Sequence, residues 1–410
     1  MGATGSLTLS PVDRGRNGTC ATSGMAIAQR KHGRAGEMTQ HILAINAGSS
    51  SLKIGVFDLE TGNRESGGAV DWRGGDGNVA DHASALDHLL GDLDLSSVAA
   101  IGHRVVQGGA SMRESVVVTG EVKAAIEELT VLAPLHNRAA LDGIEACERL
   151  LPRTPQVACF DTAFHSTLPP VAYHYPVPRR WFEEWGIRRL GFHGLSHAYC
   201  AGRAAELLGS PEHLRLVSCH LGQGCSVAAI EGGHSIATTM GFTPMDGVMM
   251  GTRSGAIDPG IVTYLIEHRG MSAAEIDDAL NHESGLLGVS GVSGDMREII
   301  TARANGDSRA GLAFELFVAR LRDGILTMAA ALGGMDALLF TGGIGEHSAE
   351  VRAAVCQSLA WIGVEISAAV NVAAEPDCAI SAGSSKVNVL VVRTQEELMV
   401  ARETRRVLGL

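Results

Sequence analysis

The chain has 410 residues and a formal net charge of −12. That length is more than one hydrophobic core usually supports, so two domains are expected. The acidic balance, without a long basic run, argues against nucleic acid as a partner, because such binding needs a basic face. The most apolar stretch, residues 324–340, is broken by glycines, so it predicts a buried helix and strand and not a membrane span.

The eight cysteines are scattered, with no CxxC pair and no His/Cys spacing typical of a zinc site. Reduced, mostly buried thiols in a cytoplasmic protein are therefore expected. Residues 1–38 are rich in Gly, Ser, Thr and Arg, lack helical or strand periodicity and contain no apolar core of a secretory signal. We predict that they form a disordered extension, with an over-long reading frame as the alternative.

The first predicted elements form a hairpin over residues 41–58, where two apolar runs flank a small polar turn. A second hairpin of this kind follows at residues 215–233, with a glycine-rich turn. Small turn residues let backbone N–H groups approach a phosphate closely, although either turn alone is typical of an ordinary hairpin. One such hairpin in each half of the chain indicates an internal duplication.

Helical periodicity and short buried apolar runs alternate along the rest of the chain. Helices are predicted over residues 121–132, 137–151, 311–332, 351–359 and 395–408. Strands are predicted over residues 156–161, 336–343 and 387–394. Strands that alternate with helices predict an α/β fold with a mixed or parallel sheet in each half.

A series of short motifs, rich in glycine and polar side chains, follows in a distinctive order. The motifs are NAGSSSLK (46–53), HRVVQGG (103–109), APLHN (133–137), FDTAFH (160–165), GFHGLSH (191–197), HLGQG (220–224), GFTPMDGVMMGTRSGAIDPG (241–260), GLLGVSGVSGDMRE (285–298), FTGGIGEHS (340–348) and TQEELMVARE (394–403). Together they resemble the acetate kinase family, within the larger group of acetate and sugar kinases, heat-shock ATPases and actin. The resemblance extends from His41 to Leu410, and no single motif would support it alone.

This resemblance implies a fold, a division into domains and a reaction. The implied fold is two duplicated actin/ribonuclease H-like domains, each a mixed sheet flanked by helices, with the active site in the interdomain cleft. Residues 39–161 plus 395–410 would form the acyl and phosphate side, and residues 162–394 the nucleotide side. The implied activity is reversible transfer of the ATP γ-phosphoryl group to acetate, with Mg²⁺ or alternatively Mn²⁺, in a homodimer.

Phosphoryl transfer to a carboxylate requires cations and hydrogen-bond donors more than a general base, because the nucleophile is already ionised. By resemblance, Arg104 contacts the acyl substrate, Arg253 stabilises the transition state and His193 donates to the transferring phosphoryl oxygens. Asp161 resembles the family's catalytic acid, and we predict that it orients an arginine or a metal-bound water. The alternatives are a surface arginine, a core histidine and, for Asp161, a cap on the following turn.

The same resemblance assigns the remaining site residues. Asn46 and Glu396 would hold Mg²⁺, since amide and carboxylate oxygens suit that ion, although Glu396 could instead be a first-turn glutamate favoured by the helix dipole. The nucleotide side comprises Lys53, His220, Leu221, Gly222, Gln223, Gly224, Asp295, Met296, Arg297, Gly343, Ile344, Gly345, Glu346 and His347. The acyl pocket comprises Val106, Leu135, Phe192 and Pro244, for which core packing is the alternative. The β-branched Val106 predicts a short acyl chain, with propionate as a slower substrate.

Several positions depart from the family pattern. They are Gln107, Leu195, Gln223, Ala256, His347 and Gln395, and the stretch from Lys53 to Arg104 is short. These departures bear on nucleotide preference, on the stability of the first domain and on the acyl substrate more than on the fold or the reaction.

Three functions are compatible with the motifs. A carboxylate kinase, acting on acetate first and on propionate or butyrate next, explains two arginines and a histidine beside an apolar pocket. A nucleotide-gated clamp of the actin and heat-shock type does not explain why two arginines and a histidine would lie beside an apolar pocket. A catalytically inactive relative is disfavoured because the polar site residues are retained. An assay for acyl phosphate separates the three.

Overall fold

The structure is a computed structural model that describes residues 40–48, 51–71, 89–91 and 94–410. The predicted extension over residues 1–38 lies outside this part, and residues 39–410 form one compact unit. The strands are β1 (His41–Ala47), β2 (Ser51–Asp58), β3 (Arg64–Asp71), β4 (Val98–Val105), β5 (Val116–Val117), β6 (Gln156–Phe160), β7 (Arg215–Leu221), β8 (Cys225–Glu231), β9 (His234–Thr238), β10 (Ala337–Thr341), β11 (Cys378–Ala379) and β12 (Asn388–Val391).

The α-helices connect these strands and cover them. They are α1 (Gly120–Glu128), α2 (Pro134–Leu150), α3 (Pro170–Tyr173), α4 (Arg179–Trp185), α5 (Gly194–Leu207), α6 (Pro259–Arg269), α7 (Ala273–His282), α8 (Gly285–Ser290), α9 (Met296–Ala304), α10 (Ser308–Ala331), α11 (Gly342–His347), α12 (Ala349–Ser358), α13 (Ala368–Val372) and α14 (Glu396–Leu408). None of the described helices is both long and apolar enough to cross a bilayer.

The described strands form two six-stranded sheets of matching order. The first runs β3-β2-β1-β4-β6-β5 and the second β9-β8-β7-β10-β12-β11. In each sheet the meander at one edge is antiparallel, the next two pairings are parallel and the last is antiparallel. The predicted hairpins are β1–β2 and β7–β8, and they occupy equivalent places. The predicted duplicated fold of mixed sheets flanked by helices is therefore confirmed.

Helices pack on both faces of the first sheet. α2 contributes Ala139, Ala146 and Cys147 to a cluster on one face. α14 contributes Val400 and Ala401 to a cluster on the other face. A buried valine such as Val400 stabilises the fold by about 1.5–3 kcal/mol, and the smaller side chains let the helices pack closely on the sheet.

The second sheet is covered by α10 on one face and by α5 on the other. Alternation along β7 explains how one strand serves both faces. Val217, Cys219 and Leu221 join the cluster beneath α10. Ser218 and His220 face α5, where their side chains hydrogen-bond to it. α5 and α14 also contact each other, so the two helices lie between the sheets.

The predicted elements agree with the structure to within a few residues. The helix predicted over 137–151 is α2, which begins earlier, at Pro134. The strand predicted over 387–394 is shorter, because Arg393 and Thr394 give their N–H groups to the carboxylates of Asp377 and Glu346. The division into residues 39–161 plus 395–410 and residues 162–394 stays a prediction.

Candidate active site

Three polar side chains meet at the carboxyl ends of the parallel strands of the first sheet. Asn46 lies at the end of β1, Arg104 near the end of β4 and Asp161 directly after β6. Arg104 Nη2 donates to Asp161 Oδ2 at 2.6 Å, and Nε donates to the two carboxylate oxygens at 3.1 and 3.2 Å. Its Nη1 donates to Asn46 Oδ1 at 2.9 Å. A guanidinium group that is hydrogen-bonded on both sides has a fixed plane, so Asp161 orients Arg104.

The alternative prediction for Asp161, a cap on the following turn, is wrong. The turn after β6 is a 3-10 helix, Ala163–Thr167, whose N-cap is Thr162 and which has no side-chain cap. Asp161 is 1% exposed, and its carboxylate is taken up by Arg104. Burial opposes the charge on Arg104, but Asp161 and Glu396 together raise its pKa above the ordinary value. Arg104 therefore stays protonated.

The first turn of α14 adds two carboxylates to this group. Glu396 Oε2 accepts from Asn46 Nδ2 at 3.0 Å and lies 3.2 Å from Arg104 Nη1. Glu397 Oε1 accepts from the same amide at 3.3 Å. Burial alone would raise the pKa of Glu396, but Arg104 and the nearby histidines outweigh it and hold that pKa well below its usual range. Glu396 is thus both a first-turn glutamate and part of the polar group.

His193 is held in an uncommon backbone conformation at the start of α5. Its φ is +56°, in the left-handed region, which costs a non-glycine residue roughly 1–3 kcal/mol. The next residue explains why. Gly194 donates its N–H to the Asp161 carbonyl at 3.0 Å, and a Cβ there would lie 2.1 Å from that oxygen. The backbone therefore comes close to Asp161 at Gly194. The left-handed conformation of His193 provides the change of chain direction that this contact requires.

The ring of His193 stacks on that of His220, with centroids 4.1 Å apart and planes 17° from parallel. Its buried Nδ1 lies 4.0 Å from Glu396 Oε1, beyond hydrogen-bond distance, and has no hydrogen-bond partner in the described part of the chain. His220 Nδ1 is bonded to Ser196 Oγ at 2.8 Å. Burial, reinforced by His193, lowers the pKa of His220 well below its usual value, so this ring is neutral at pH 7.

Nitrogen atoms of His193 and His220 and an oxygen of Glu396 lie within 4.8 Å of one another. A tetrahedral metal site would need the in-plane lone pairs of both rings to converge on one point. Stacked, nearly parallel rings point their lone pairs side by side, so this geometry does not favour a shared transition metal.

The other histidines near the site agree with the core interpretation. His165 bonds Ser235 Oγ at 2.8 Å and the Phe192 carbonyl at 3.0 Å. His197 bonds the hydroxyls of Ser218 and Ser226, each at 3.0 Å. Both rings are buried and have partners at both nitrogens, so packing explains them.

Arg253 approaches the same place from the second half of the chain. A Cβ at Gly224 would lie 2.9 Å from His193 Nε2 and 3.4 Å from Arg253 Nη1, so both side chains flank the β7–β8 turn. Arg253 Nη1 donates to the Pro244 carbonyl at 3.2 Å. Burial lowers the pKa of Arg253, and no carboxylate of the described residues forms an ion pair with it. A partly buried guanidinium without an acid beside it is a binding group for an anion.

A cavity of about 650 Å³ opens beside the β7–β8 turn. It is lined by Gly222, Gln223, Gly294, Asp295, Met296, Arg297, Ile300, Gly343, Ile344, His347 and Ser348. The volume falls within the range of small-molecule sites, roughly 300–1,000 Å³. Eight of the predicted nucleotide-binding residues lie on this wall. Another cavity, of about 640 Å³, lies along α12, away from the polar group.

The other predicted nucleotide residues are placed elsewhere. They are Lys53, His220, Leu221, Gly224, Gly345 and Glu346. Leu221 is buried in the core and Lys53 is exposed on β2. Glu346 accepts from the N–H groups of Gly342 and Thr394 at 3.0 and 3.1 Å, which ties the ends of β10 and β12 together. These two hydrogen bonds explain its burial without a ligand.

The predicted acyl-pocket residues are only partly brought together. Val106 and Phe192 belong to one buried hydrophobic cluster. Pro244 contacts Arg253 through its carbonyl. Leu135 lies in α2, and its side chain is outside the described part. Their predicted role as an acyl pocket stays a prediction.

The two matched sheets, with a charged group at the end of one and a cavity at the end of the other, define a duplicated, actin-like fold of two mixed sheets flanked by helices. The model of the Acetokinase family matches residues 41–402. The chain is 47% identical to an acetate kinase of Gloeobacter violaceus, over 88% of this chain and 98% of that one. It is 46% identical to an acetate kinase of Bacillus subtilis, over 89% of this chain and 98% of that one. The chain belongs to the acetokinase family.

Solved structures agree with this assignment. A crystal structure of Porphyromonas gingivalis acetate kinase matches with a TM-score of 0.82 at 40% identity, covering 90% of this chain and all (100%) of that one. A propionate kinase from Francisella tularensis matches with a TM-score of 0.83 at 37% identity, over 90% and 100% of the two chains. The predicted family is therefore confirmed.

Three residues of the site were not singled out in the sequence. Glu397 adds a second carboxylate beside Asn46, and its place next to Glu396 in TQEE was the available signal. Ser196 links His220 to Thr394 by hydroxyl contacts of 2.8 Å each. A serine and a threonine 198 positions apart give no sign of such a pairing in the sequence.

Proposed function

We propose that this protein is an acetate kinase, which transfers the γ-phosphoryl group of ATP reversibly to acetate and gives acetyl phosphate and ADP by direct in-line displacement. The observation that supports it most is Arg253, a guanidinium without a carboxylate partner in the described part, beside His193 and next to a cavity of nucleotide size. The names of its relatives support the same activity.

The displacement requires no proton transfer. An acetate oxygen attacks the γ-phosphorus, and the bond from that phosphorus to the oxygen bridging the β and γ phosphates breaks. The electron pair leaves with ADP. This agrees with Asp161, whose carboxylate is occupied by Arg104 and is not available as a base. Positioning and charge stabilisation then provide the catalysis.

Arg104 would act on acetate mostly through its charge. Its Nε and one Nη2 hydrogen go to Asp161, and Nη1 goes to Asn46 and towards Glu396. A guanidinium has five N–H donors, so one Nη2 hydrogen remains for a substrate oxygen. His193 and Arg253 would donate to the phosphoryl oxygens, where charge develops.

The proposed Mg²⁺ site fits the donor chemistry of Asn46 and Glu396. Amide and carboxylate oxygens are the ligands that Mg²⁺ prefers, and Glu397 adds a further carboxylate next to them. Asn46 Oδ1 accepts one hydrogen bond, and an sp² oxygen has a second lone pair. Glu396 Oε2 already faces Asn46 Nδ2 and Arg104 Nη1, so Oε1 is the carboxylate oxygen that would bind the ion. When bound, the ion would neutralise negative charge on the phosphates.

An acyl phosphate assay tests the proposed function. Wild type with ATP, Mg²⁺ and acetate should form a product that hydroxylamine traps, with propionate slower and butyrate slower still. Arg253→Ala should lower the rate about 10³-fold or more, since an arginine on the transferring group is worth that much. Arg138→Ala, at an exposed arginine on α2, is the matched control and should keep the wild-type rate.

Two outcomes would contradict this proposal. Slow ADP release that acetate does not change would favour the ATPase clamp. Equal rates for wild type and Arg253→Ala would show that Arg253, on which the proposal depends most, takes no part in the reaction. Faster trapping with propionate than with acetate would change the substrate but keep the reaction.

A homodimer and a cytoplasmic location belong to the same proposal. Helix α6 buries none of its residues, and Ile261, Tyr264 and Ile266 are 45–47% exposed. A helix that is apolar on several faces is normally covered. Its last turn carries His268 and Arg269, while α7 exposes several acids, so a two-fold axis could pair opposite charges.

Sedimentation velocity tests the dimer. Wild type should sediment as a dimer and Ile261→Glu as a monomer, because a buried unpaired charge weakens an interface strongly. Val171→Glu, at a side chain 89% exposed outside α6, should remain dimeric. A monomeric wild type, or a dimeric Ile261→Glu, would contradict this interface.

A further inference from the structure

The segment of residues 241–246 connects Arg253 of the site to a polar group formed by Tyr175, Arg189 and Asp246. Pro244 in this segment accepts from Arg253 Nη1 at 3.2 Å. Apart from a 3.9 Å contact with Met250 Sδ, this carbonyl is the hydrogen-bond partner that the structure gives to the Arg253 guanidinium. Since no carboxylate of the described residues pairs with Arg253, its direction depends on where Pro244 lies.

Tyr175, in the loop between α3 and α4, holds this segment through its hydroxyl. The backbone N–H of Phe242 donates to the Tyr175 oxygen at 3.0 Å. The hydroxyl in turn faces Asp246 Oδ2 at 3.4 Å. One phenol therefore contacts both ends of the segment that carries Pro244.

Arg189 fixes the other side of the same group. Its Nη1 lies 3.3 Å from Asp246 Oδ2 and donates to the carbonyls of Thr239 and Met240 at 2.6 and 2.9 Å. Burial, opposed by Arg189, raises the pKa of Tyr175, so the phenol keeps its proton and can serve as both donor and acceptor.

The backbone of the segment approaches the Tyr175 hydroxyl closely at Gly241. A Cβ at Gly241 would lie 2.2 Å from the Tyr175 oxygen and 2.4 Å from Asp246 Oδ2. Only glycine at position 241 lets the segment approach the phenol this closely. Loss of the hydroxyl would leave the Phe242 N–H without its acceptor and would release the segment on this side.

We propose that Tyr175 is a positioning residue for phosphoryl transfer. Its hydroxyl holds residues 241–246 so that the Pro244 carbonyl directs Arg253 towards the transferring phosphoryl group. This inference rests on the proposed function. It concerns the rate of transfer more than nucleotide binding, because Tyr175 and the segment it holds are outside the wall of the 650 Å³ cavity.

Tyr175→Phe tests this role by removing one oxygen atom. Acetyl phosphate formation should show kcat lowered about tenfold, with KM for ATP within about twofold of wild type, because misdirecting a catalytic group by a fraction of an ångström acts on the transition state. Tyr173→Phe, at a tyrosine of α3 whose hydroxyl has no hydrogen bond to the described residues, is the control and should retain the wild-type kcat. Thermal unfolding is measured for both variants.

A double-mutant cycle separates positioning from a general loss of stability. If Tyr175 acts through Arg253, then in an Arg253→Lys background the Tyr175→Phe change should lower kcat less than about twofold. The same tenfold factor in both backgrounds would overturn the proposal, as would a lower melting temperature with unchanged kcat. A wild type that forms no acyl phosphate would instead overturn the proposed function, and this inference with it.

Discussion

The two sheets share one strand order, but their carboxyl ends carry different chemistry. In the first half, Arg104 near the end of β4 and Asp161 directly after β6 are joined by an ion pair. In the second half, the equivalent strands β10 and β12 are joined by Glu346, which accepts from the N–H groups of Gly342 and Thr394. One half thus presents side-chain charges, and the other presents glycines and a buried carboxylate that holds two backbone N–H groups.

This difference teaches how a duplicated fold can divide one task. In the proposed reaction, the carboxylate and the phosphoryl group need fixed charges, which side chains of the first half would supply. The nucleotide needs close backbone approach, which Gly222 and Gly343 on the cavity wall of the second half would allow. The helices α5 and α14 lie between the sheets, so the two kinds of edge meet where His193 faces Glu396.

The largest effect is expected from removing the positive charge of Arg104, at the carboxyl ends of the strands of the first sheet. Arg104→Ala should lower acetyl phosphate formation by about 10³-fold or more. It should also destabilise the protein by about 3–5 kcal/mol, because Asp161 and Glu396 would be left as buried carboxylates without their cation. The hydroxamate rate and a urea unfolding curve measure the two effects.

The matched control is Arg138→Ala, since Arg138 pairs with Asp142 and Glu127 on the exposed surface of α2. Exposed pairs are worth about 0–1 kcal/mol, so this variant should stay near wild type in both measurements. If Arg104→Ala lost less than about tenfold in rate, the charged edge would not be the catalytic one.

A smaller effect is expected from filling the space between Gly224, in the β7–β8 turn, and the ring of His193. Gly224→Ala would place a Cβ 2.9 Å from His193 Nε2. The ring is held by its stack on His220, so it cannot move without disturbing that neighbour. We expect kcat to fall about 10- to 100-fold with little change in the melting temperature.

Gly222→Ala in the same turn is the control for this steric argument. Its Cβ would meet no atom closer than 3.6 Å, an ordinary contact. Because Gly222 lines the cavity, its effect should appear in KM for ATP and not in kcat. A variant at Gly224 with wild-type kcat would mean that His193 does not need its present position.

The fold was predictable because its signals are local. The alternation along β7 and the helical spacing in α10 are visible in a few consecutive residues. The repeated hairpin, β1–β2 and β7–β8, was visible for the same reason. Boundaries were less predictable, since the end of β12 depends on the side chains of Asp377 and Glu346, which are distant in sequence.

The site was predictable only through a resemblance to a family. Asn46 and Glu396 are 350 positions apart, and no periodicity connects them. Asp161 pairs with Arg104 and does not cap the following turn, because β4 and β6 lie side by side in the sheet. That pairing of strands is not visible in the sequence. Tyr175 had no signal at all, because a tyrosine between proline-rich turns is ordinary until Phe242 is placed against it.

The smallest effect is expected on the pH dependence of the free energy of unfolding, through one buried histidine from each half of the chain. Burial lowers the pKa of His103, on β4, to about 4. Burial, with a smaller contribution from His165, lowers that of His197, on α5, well below its usual 6.5. In the unfolded chain both would titrate near 6.5. Below that pH the unfolded chain binds protons that the folded protein does not, so the free energy of unfolding falls as the pH falls.

Each of these histidines should contribute about 1.4 kcal/mol per pH unit to that loss, beginning near pH 6.5. His103→Gln and His197→Gln should therefore each reduce the pH dependence of urea unfolding between pH 6.5 and 5 by this amount. His268→Gln, at a side chain 62% exposed, should leave it unchanged. If only His197→Gln reduced the slope, the first half would admit a proton at His103, whose Nδ1 lacks a partner in the described part. The duplicated sheets would then differ in how well they exclude charge, because both nitrogens of His197 are bonded to serines.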